Sequence, residues 1–409
     1  MAQKRTIADD GGNIARAKGR SQNRKFAEKS NKNIGRSKIA SITIKIALVL
    51  LAVVLLIGWW NNRVDWSCTN IAQCAKDTSK MMGPGEGFPI DVSGSRAVDI
   101  KRLADGIGVL SDTSFSIHNT QSKTVDIRAH YMSSPALETS GRYALLYDIG
   151  GKSYRLEAVS ETLDSGRTDY VITGGCVSRS GRYALLSNES TKLSMVEIRE
   201  ISGEVIHKWH SDYFYITDVA LSGDGRYVAM SGFNAEGGKM VSAVVIQKVG
   251  EKKDAARLTY TDSEIMAIEF TKTDTILAVG STKTFVIKDF GESTSVISYG
   301  ASELVCYDVD YESGIAIYLS TSADLSAGTV ICCDTNGLER YKNNISGYIL
   351  DISLDSSICS VLSRGTVSAY SNTGKLLGQK EVGVGSFCVI ALGSDAYIAA
   401  ASQVTRQAF

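Results

Sequence analysis

The sequence predicts an all-β fold: an eight-bladed β-propeller that follows one N-terminal transmembrane helix. Three observations lead to this prediction. A short phrase recurs about every forty residues, an apolar run of helical length stands near the N-terminus, and proline is almost absent from the rest of the chain. Four antiparallel strands in each repeat of about forty residues are typical of a propeller blade.

The first segment, residues 1–40, is strongly basic. Residues 1–38 contain eleven Lys or Arg against three Asp or Glu, so the formal net charge of zero for the whole chain hides an acidic remainder. A segment this polar and poor in aromatic residues does not bury enough surface to fold, and we expect a disordered tail. Its charge is more typical of a topology signal that touches anionic lipid headgroups than of a nucleic-acid-binding segment.

The second segment, residues 41–60, has the length and composition of a membrane span. Its last fifteen residues carry no charge, and Trp59 and Trp60 stand where the aromatic belt of a bilayer is expected. A buried core helix or a cleaved signal peptide rarely combines a basic flank with two tryptophans, and no small-residue cleavage pattern follows. The sequence therefore predicts a single-pass protein of the cell membrane, with a cytoplasmic N-terminus and residues 61–409 extracytoplasmic.

Residues 61–87 are predicted to form a stalk or linker. The run "MMGPGEGF" at 81–88 is turn-forming, has no periodicity and indicates a hinge into the folded part. Cys68 and Cys74 lie in this segment, where they either close a small disulfide loop or remain two thiols. Apart from the predicted span, no window shows the sustained apolar spacing of a helix.

Residues 88–409 are predicted to form the propeller. The phrase "SGRYALL" stands at 140–146 and 180–186, and "GDGRYVAM" follows at 223–230. In eight related segments a small or polar turn leads into an apolar strand: 103–111, 139–147, 179–187, 223–231, 272–280, 312–320, 355–363 and 393–401. A tight turn that leads into a buried strand has this signature, and one strand before it and two after it complete a blade.

The two ends of the propeller are predicted to complete each other. The last repeat, 386–409, holds two strands and part of a third, whereas the apolar run "GFPIDVSG" at 87–94 belongs to no full repeat. If residues 88–93 supply the outer strand of a shared closing blade, two exposed sheet edges are removed at once.

Two blade numbers are compatible with the repeats. The eight-bladed ring places Ile90 near Val404, where a cysteine crosslink tests the closure. The alternative is a seven-bladed ring in which residues 95–130 are irregular.

The motifs of the repeat also carry a resemblance to known proteins. The blades are similar to those of WD40-like and pyrroloquinoline-quinone-type propellers. The layout of residues 40–409 resembles a family of uncharacterised bacterial single-span membrane proteins, known as a domain of unknown function, through "FPIDVSG", "LSDTSFSIHNTQSK", "SGRYALLYDIGGKSY" and "YFYITDVALSGDGRYVAM". The resemblance implies a bacterial cell-surface location and no assigned activity.

The sequence contains no recognisable catalytic constellation. Nucleophile-elbow, zinc-protease, P-loop and Rossmann patterns are absent. Of the four tryptophans only Trp209 belongs to the predicted propeller, which disfavours a stacked quinone, and we expect no cofactor. His207 and His210 are three residues apart on a predicted outer strand, so they face opposite ways and do not predict a metal site.

The candidate binding residues are Asp218, Asp308 and Asp351. They stand at similar places early in the inner strands of three blades, and inner strands line the central channel of a propeller. A ring of carboxylates there would attract a cation or a basic ligand. The alternative is that each carboxylate accepts hydrogen bonds from N–H groups of loops between blades, because buried carboxylates need partners.

The Arg-Tyr pairs of the repeated phrase, at 142–143, 182–183 and 226–227, also have two interpretations. They form either a surface for a partner or the packing between neighbouring blades. Blade packing is the simpler of the two.

The function predicted from these features is a membrane-anchored, extracytoplasmic binding or scaffold module. Its partner would be a protein, a peptide or a cell-wall polymer held on the face or in the channel of the propeller. An extracytoplasmic enzyme or quinoprotein-like oxidoreductase is the alternative, and the missing nucleophile and base disfavour it. A single-span envelope sensor is a further alternative, although no folded cytoplasmic output domain is predicted.

Overall fold

The computed structural model describes residues 44–53, 71–92, 96–189 and 192–409. The chain divides into two compact units, Met1–Asp65 and Trp66–Phe409. In the first unit, residues 44–53 form a helix, α1. In the second unit, helix α2 (Ile71–Met81) precedes eight four-stranded antiparallel sheets.

The segment predicted to span the membrane is described only in part. The basic tail at 1–40 and the ends of the span at 41–60 lie outside the described residues. Among the residues that are described, no helix has both the length and the apolar character needed to cross a bilayer. The span therefore stays a prediction.

Strand β1 (Ile90–Asp91) is followed by seven consecutive groups of four strands, one group to a blade, and by a last group of three that β1 completes. Blades 1 and 2 consist of β2 (Ala97–Leu103), β3 (Gly106–Ser111), β4 (Ser114–Asn119), β5 (Thr124–Ala129), β6 (Pro135–Ser140), β7 (Tyr143–Asp148), β8 (Ser153–Ala158) and β9 (Thr162–Arg167). Blades 3 and 4 consist of β10 (Val171–Val177), β11 (Tyr183–Asn188), β12 (Ser194–Arg199), β13 (Val205–Ser211), β14 (Tyr215–Leu221), β15 (Tyr227–Glu236), β16 (Lys239–Lys248) and β17 (Asp254–Tyr260).

The remaining blades follow the same plan. Blades 5 and 6 consist of β18 (Ile265–Phe270), β19 (Ile276–Gly280), β20 (Lys283–Lys288), β21 (Ser293–Ser298), β22 (Glu303–Asp310), β23 (Gly314–Ser320), β24 (Ala327–Cys333) and β25 (Glu339–Ser346), with a short 3₁₀ turn (Asp289–Gly291) between β20 and β21. Blade 7 consists of β26 (Ile349–Leu354), β27 (Ile358–Ser363), β28 (Thr366–Ser371) and β29 (Leu376–Glu381). Blade 8 combines β30 (Ser386–Leu392), β31 (Asp395–Ala400) and β32 (Gln403–Ala408) with β1.

The closing blade joins the two ends of the propeller. Ile90 lies opposite Val404 and Asp91 opposite Gln403 in an antiparallel pair. The predicted eight-bladed ring with a shared closing blade is confirmed. The seven-bladed alternative is wrong, because most of the segment at 95–130 forms the four regular strands of blade 1.

The first strand of each group is the innermost, and the first strands of neighbouring blades pack against one another around a central channel. We call the end of the propeller where these inner strands begin the top face, and the other end the bottom face. The loops of the top face lead from each outer strand to the next inner strand or join the second and third strands of a blade. Their described residues are 92, 96, 112–113, 130–134, 149–152, 168–170, 189, 192–193, 212–214, 237–238, 261–264, 281–282, 299–302, 321–326, 347–348, 364–365, 382–385 and 401–402.

The repeated phrase forms the bottom-face turn and the second strand of its blade. Residues 144–146 and 184–186 are fully buried, because the second strand is covered by blades on both sides. The glycine of the turn has a positive φ in each copy of the phrase, for example 87° at Gly181 and 68° at Gly225. The phrase recurs because each blade needs the same tight turn before a strand that is buried on both faces.

Part of the predicted stalk is a docked helix. Helix α2 lies against bottom-face turns of blades 1 and 2, and its Asp77 is 1% exposed. The Asp77 carboxylate accepts the backbone N–H of Ser160 at 3.0 Å and a guanidinium N–H of Arg142 at 3.1 Å. The sequence pattern did not reveal this helix, because its buried face runs through Cys74, Asp77 and Met81 and the carboxylate interrupts the apolar spacing.

Contacts beyond α2 hold the following turn to blade 1. The side-chain amide of Asn119 donates to the carbonyl oxygens of Met81 and Gly83, both at 2.8 Å. Cys74 is disulfide-bonded. This favours the first of the two alternatives for the cysteines of this segment, although Cys68 lies outside the described residues.

Candidate binding face and channel

The predicted channel carboxylates lie at two levels of the inner strands. Asp218 and Asp351 each follow a bulge that shifts the register of their strand, and Asp99 of blade 1 follows the same bulge. In blade 6 the bulge precedes Cys306, so Asp308 lies two residues nearer the bottom face. Sequence analysis missed Asp99, although "VDI" at 98–100 repeats the "TDV" and "LDI" patterns around the other two.

Each predicted carboxylate accepts a backbone N–H from the next blade. The pairs are Asp218 Oδ2 with Ile268 at 2.9 Å, Asp308 Oδ2 with Leu354 at 2.7 Å, and Asp351 Oδ2 with Val389 at 2.8 Å. The donors belong to inner strands rather than to loops. Their geometry corresponds to the alternative in which the carboxylates tie neighbouring blades together.

The carboxylates just behind the channel mouth have raised pKa values. Burial raises the pKa of Asp218 to about 7, against the opposing effect of its backbone N–H bonds. Burial also raises the pKa values of Asp99 and Asp351 to about 6. A carboxyl group withdrawn from bulk water favours its neutral form. The charge at this level of the channel therefore changes between mildly acidic and neutral pH.

A second level of charged side chains lies nearer the bottom face. The ammonium of Lys101 is 3.6 Å from the carboxylate of Glu138, which raises the pKa of Lys101 above its ordinary value. Enclosure within the channel and the nearby carboxylates of Asp218 and Glu138 raise the pKa of Glu269 well above its usual range. Acidic groups therefore outnumber Lys101 at this level.

Arg102 spans three blades at the bottom end of the channel. It belongs to blade 1, yet its guanidinium is 2.8 Å from the carboxylate of Asp310 in blade 6 and donates to the carbonyl of Leu354 in blade 7 at 2.9 Å. The carboxylates of Asp308 and Asp355 are both 3.8 Å away. Because blade 8 stands between blades 1 and 7, this side chain ties the ring together across the closing blade.

The exposed Tyr and Phe side chains of the described part of the propeller lie at one end of it. Within the described residues, every Tyr or Phe that is substantially exposed lies in a top-face loop or at the adjoining strand ends: Tyr131, Tyr213, Tyr215, Phe233, Tyr348 and Phe387. At the opposite end, Tyr143 and Tyr183 of the repeated phrase are 2% and 0% exposed, and Tyr227 is half-buried. This asymmetry marks the top face as the candidate binding surface.

Bulges place three apolar side chains, among them that of Phe387, around the channel mouth. A bulge sets two residues against one and turns the extra side chain out of the ladder. Val98, Met266 and Phe387 occupy this place in blades 1, 5 and 8 and are 40%, 47% and 39% exposed. We call these three residues the collar.

Blade 4 carries a hairpin that extends beyond the top face, which we call the arm (residues 233–242). Strands β15 and β16 have ten residues each, whereas the second and third strands of the other blades have five to seven. At the base of the arm the rings of Tyr215 and Phe233 are 6.1 Å apart. The Tyr213 hydroxyl donates to the carboxylate of Glu236 at 2.6 Å. The arm thus adds the ring of Phe233 and one pair of opposite charges, Glu236 and the facing Lys239, to this blade.

The described top-face loops hold seven acidic residues and four basic ones. The acidic residues are Asp112, Asp169, Glu189, Asp212, Asp262, Glu264 and Asp324, and the basic ones are Arg96, Lys152, Lys192 and Arg364. This surface and the channel behind it are therefore both acidic.

The histidines and the Arg-Tyr pairs have structural partners. His207 contacts the side chain of Gln247 at 2.8 Å, and His210 contacts the carboxylate of Glu189 at 2.9 Å. The two histidines, three residues apart on β13, therefore have separate partners. Within the described ranges, no group of three or more His, Cys, Asp or Glu side chains is arranged to hold a metal ion. Arg182 donates to the carbonyl of Gly225 in the next blade at 3.1 Å, as the packing interpretation of the pairs requires.

A second concavity lies where the chain from α2 meets the closing blade. It has a volume of about 580 Å³, and Glu86, Phe88, Gln121 and Arg406 are among its lining residues. It is open to solvent and holds none of the candidate binding residues Asp218, Asp308 and Asp351.

Comparisons with known proteins extend these observations. The model of a family described as "Family of unknown function (DUF5711)" matches residues 89–407. Comparison with curated protein sequences gives no match.

Several solved structures share the architecture of this chain. BamB from Moraxella catarrhalis has 15% identity and a TM-score of 0.52, with 79% of this chain and 100% of that chain covered. The C-terminal WD40 domain of Sif2 has 11% identity and a TM-score of 0.55, with 78% and 98% covered. Sqt1 from Saccharomyces cerevisiae has 12% identity and a TM-score of 0.55, with 80% and 100% covered. At these identities the likeness shows the fold alone.

Proposed function

Because the chain belongs to DUF5711, a family of unknown function, we propose a function from its own surface: a membrane-anchored, extracytoplasmic module that binds a protein on its top face. The observation that carries this proposal is the confinement of exposed aromatic side chains to that face. Tyrosine and other aromatic residues are enriched among the side chains that contribute most to protein–protein binding. The six exposed Tyr and Phe residues of the top face form a surface of this kind.

The position of α2 is compatible with a surface presented to a partner. The chain enters the propeller through α2, which is docked on the bottom face. The aromatic residues lie at the end of the propeller opposite α2, so this helix does not cover them.

The anchor and the location in this proposal are supported by sequence features. These are the basic tail at 1–40, the apolar run at 41–60 and the tryptophans that end it. No catalytic step, cofactor or nucleic acid is part of the proposed function.

Site-specific photo-crosslinking in living cells tests the proposal. A photoreactive amino acid replaces Val384, which is 83% exposed on the top face, or, as the matched control, Leu338, which is 65% exposed at a bottom-face turn. We expect a protease-sensitive adduct from the first position and none from the second, and Phe387→Ser should weaken the first adduct. Equal adducts from both positions, or none from Val384, would contradict the proposed binding face.

Two further readouts separate the alternatives. An adduct that resists protease and is released by glycan hydrolysis would replace the protein partner with a cell-wall polymer. For the location, a membrane-impermeant maleimide should label Val384→Cys in intact cells. Labelling only after lysis would place the propeller on the cytoplasmic side.

A further inference from the structure

We propose that the partner presents a basic, extended peptide segment, which lies across the channel mouth with Lys or Arg side chains against the top-face rings and carboxylates. This inference rests on the proposed function and specifies the chemistry of the partner.

The collar favours an extended segment over a bulky one. Val98, Met266 and Phe387 surround the mouth in three different blades, with the channel between them. An extended peptide directs alternate side chains to opposite sides. One row of its side chains would contact the collar or enter the mouth, while the other row points away.

Charge complementarity selects a basic segment. The described top-face loops carry seven acidic and four basic residues. Behind the collar the inner strands add Asp99, Asp218 and Asp351. Acidic residues on both the surface and the channel wall attract cationic groups and repel acidic ones. Of two peptides with the same apolar side chains, the more basic one is therefore favoured.

The face already holds one cationic group against an exposed ring. The guanidinium carbon of Arg364 is 4.5 Å from the ring centre of Tyr348, both on top-face loops. Guanidinium and ammonium groups bind favourably to aromatic faces within about 6 Å. Tyr215 and Phe233 at the base of the arm offer two further exposed rings, in the same blade as Glu236.

The test uses the full-length chain in lipid nanodiscs and a phage library of random dodecapeptides. We expect the bound peptides to be enriched in Lys and Arg relative to the input library. Binding of a selected peptide should weaken as sodium chloride rises, because its contacts with surface carboxylates are screened.

Matched variants locate the binding site. Tyr215→Ser with Phe233→Ser removes two rings that are 49% and 37% exposed, and we expect the selected peptide to bind at least about tenfold more weakly. Val296→Ser with Leu377→Ser is the control, since these side chains are 52% and 46% exposed on outer strands. Melting curves establish that both variants are folded.

The outcomes separate this inference from the proposed function. Selection of neutral or acidic peptides that still require the top-face rings would overturn the basic segment and leave protein binding in place. Basic peptides that bind the ring variant and the control equally would overturn the site. A library without any enrichment would overturn the peptide segment, and the proposed function would fail with it only if the Val384 crosslink were also absent.

Discussion

A disulfide across the closing blade is expected to form from the pair Asp91→Cys and Gln403→Cys. Val92 donates its N–H to the carbonyl of Ser402 at 2.7 Å, so the neighbouring pair of Asp91 and Gln403 is a non-hydrogen-bonded one. In such antiparallel pairs the Cα atoms are about 4.5 Å apart, within the range of disulfides. Asp91 is exposed, so the exchange leaves the core intact.

The size of the effect follows from the length of chain that the bond encloses. The loop from residue 91 to residue 403 contains 313 residues. The chain-entropy relation gives about 6 kcal/mol for a loop of this length, and engineered disulfides deliver roughly half of such values. We therefore expect about 3 kcal/mol of stabilisation. For a propeller of this size that corresponds to a rise of about 5 °C in Tm.

The assay compares melting curves and non-reducing gel mobility of the oxidised and reduced double variant. Each single-cysteine variant is a control, because it shares the native disulfide of Cys74. Asp91→Cys with Gln407→Cys is a second control, displaced by four residues along β32. If the displaced pair oxidises as readily as the paired one, or if only intermolecular dimers form, the described closure is wrong.

Three further predictions concern charged groups. The pKa of Asp218 is about 7 when folded against 3.8 for the free group, so its contribution to stability is complete below pH 3.8 and is lost as pH rises toward 7. In urea unfolding, the free energy of unfolding of Asp218→Asn should therefore rise relative to that of wild type by on the order of 2 kcal/mol between pH 4 and pH 8. Parallel pH profiles of the two unfolding free energies would contradict this. Arg102→Gln leaves Asp310 without its closest cation and should cost about 3 kcal/mol in the same assay, and the added change Asp310→Asn should restore part of the loss. Asp77→Ala removes the acceptor of the Ser160 N–H, so tryptic cleavage within 71–87 should accelerate while the melting temperature of the propeller changes little; unchanged cleavage would refute the docking role.

The blade number and the closure were predictable from the sequence, because they depend on local signals. A small turn before an apolar strand recurs eight times, and the short run at 88–93 was left without a repeat of its own. Ring closure needs no more than these two facts. The buried tyrosines of the repeated phrase, such as Tyr183, also follow the predicted packing.

The functional surface was less accessible to sequence analysis. The exposure of Tyr215 depends on the loops and neighbouring blades around the end of its strand. The sequence of one blade does not specify that environment. The level of Asp308 in the channel depends on the position of a bulge, which shifts the register by one residue. Helix α2 was missed because Asp77 is buried by partners from the propeller and not by apolar character.

The shared closing blade has a consequence for biosynthesis. Strand β1 leaves the ribosome before the other strands of the propeller and its partner β32 leaves after them, so β1 waits through about 300 residues of elongation, or roughly 15 to 60 s. In a chain that stops before residue 403, strands β1 and β31 each keep an unpaired edge. Such edges can pair with those of other unfinished chains. The closing blade therefore forms only after β32 has been made, and only a chain that includes this strand loses its exposed sheet edges.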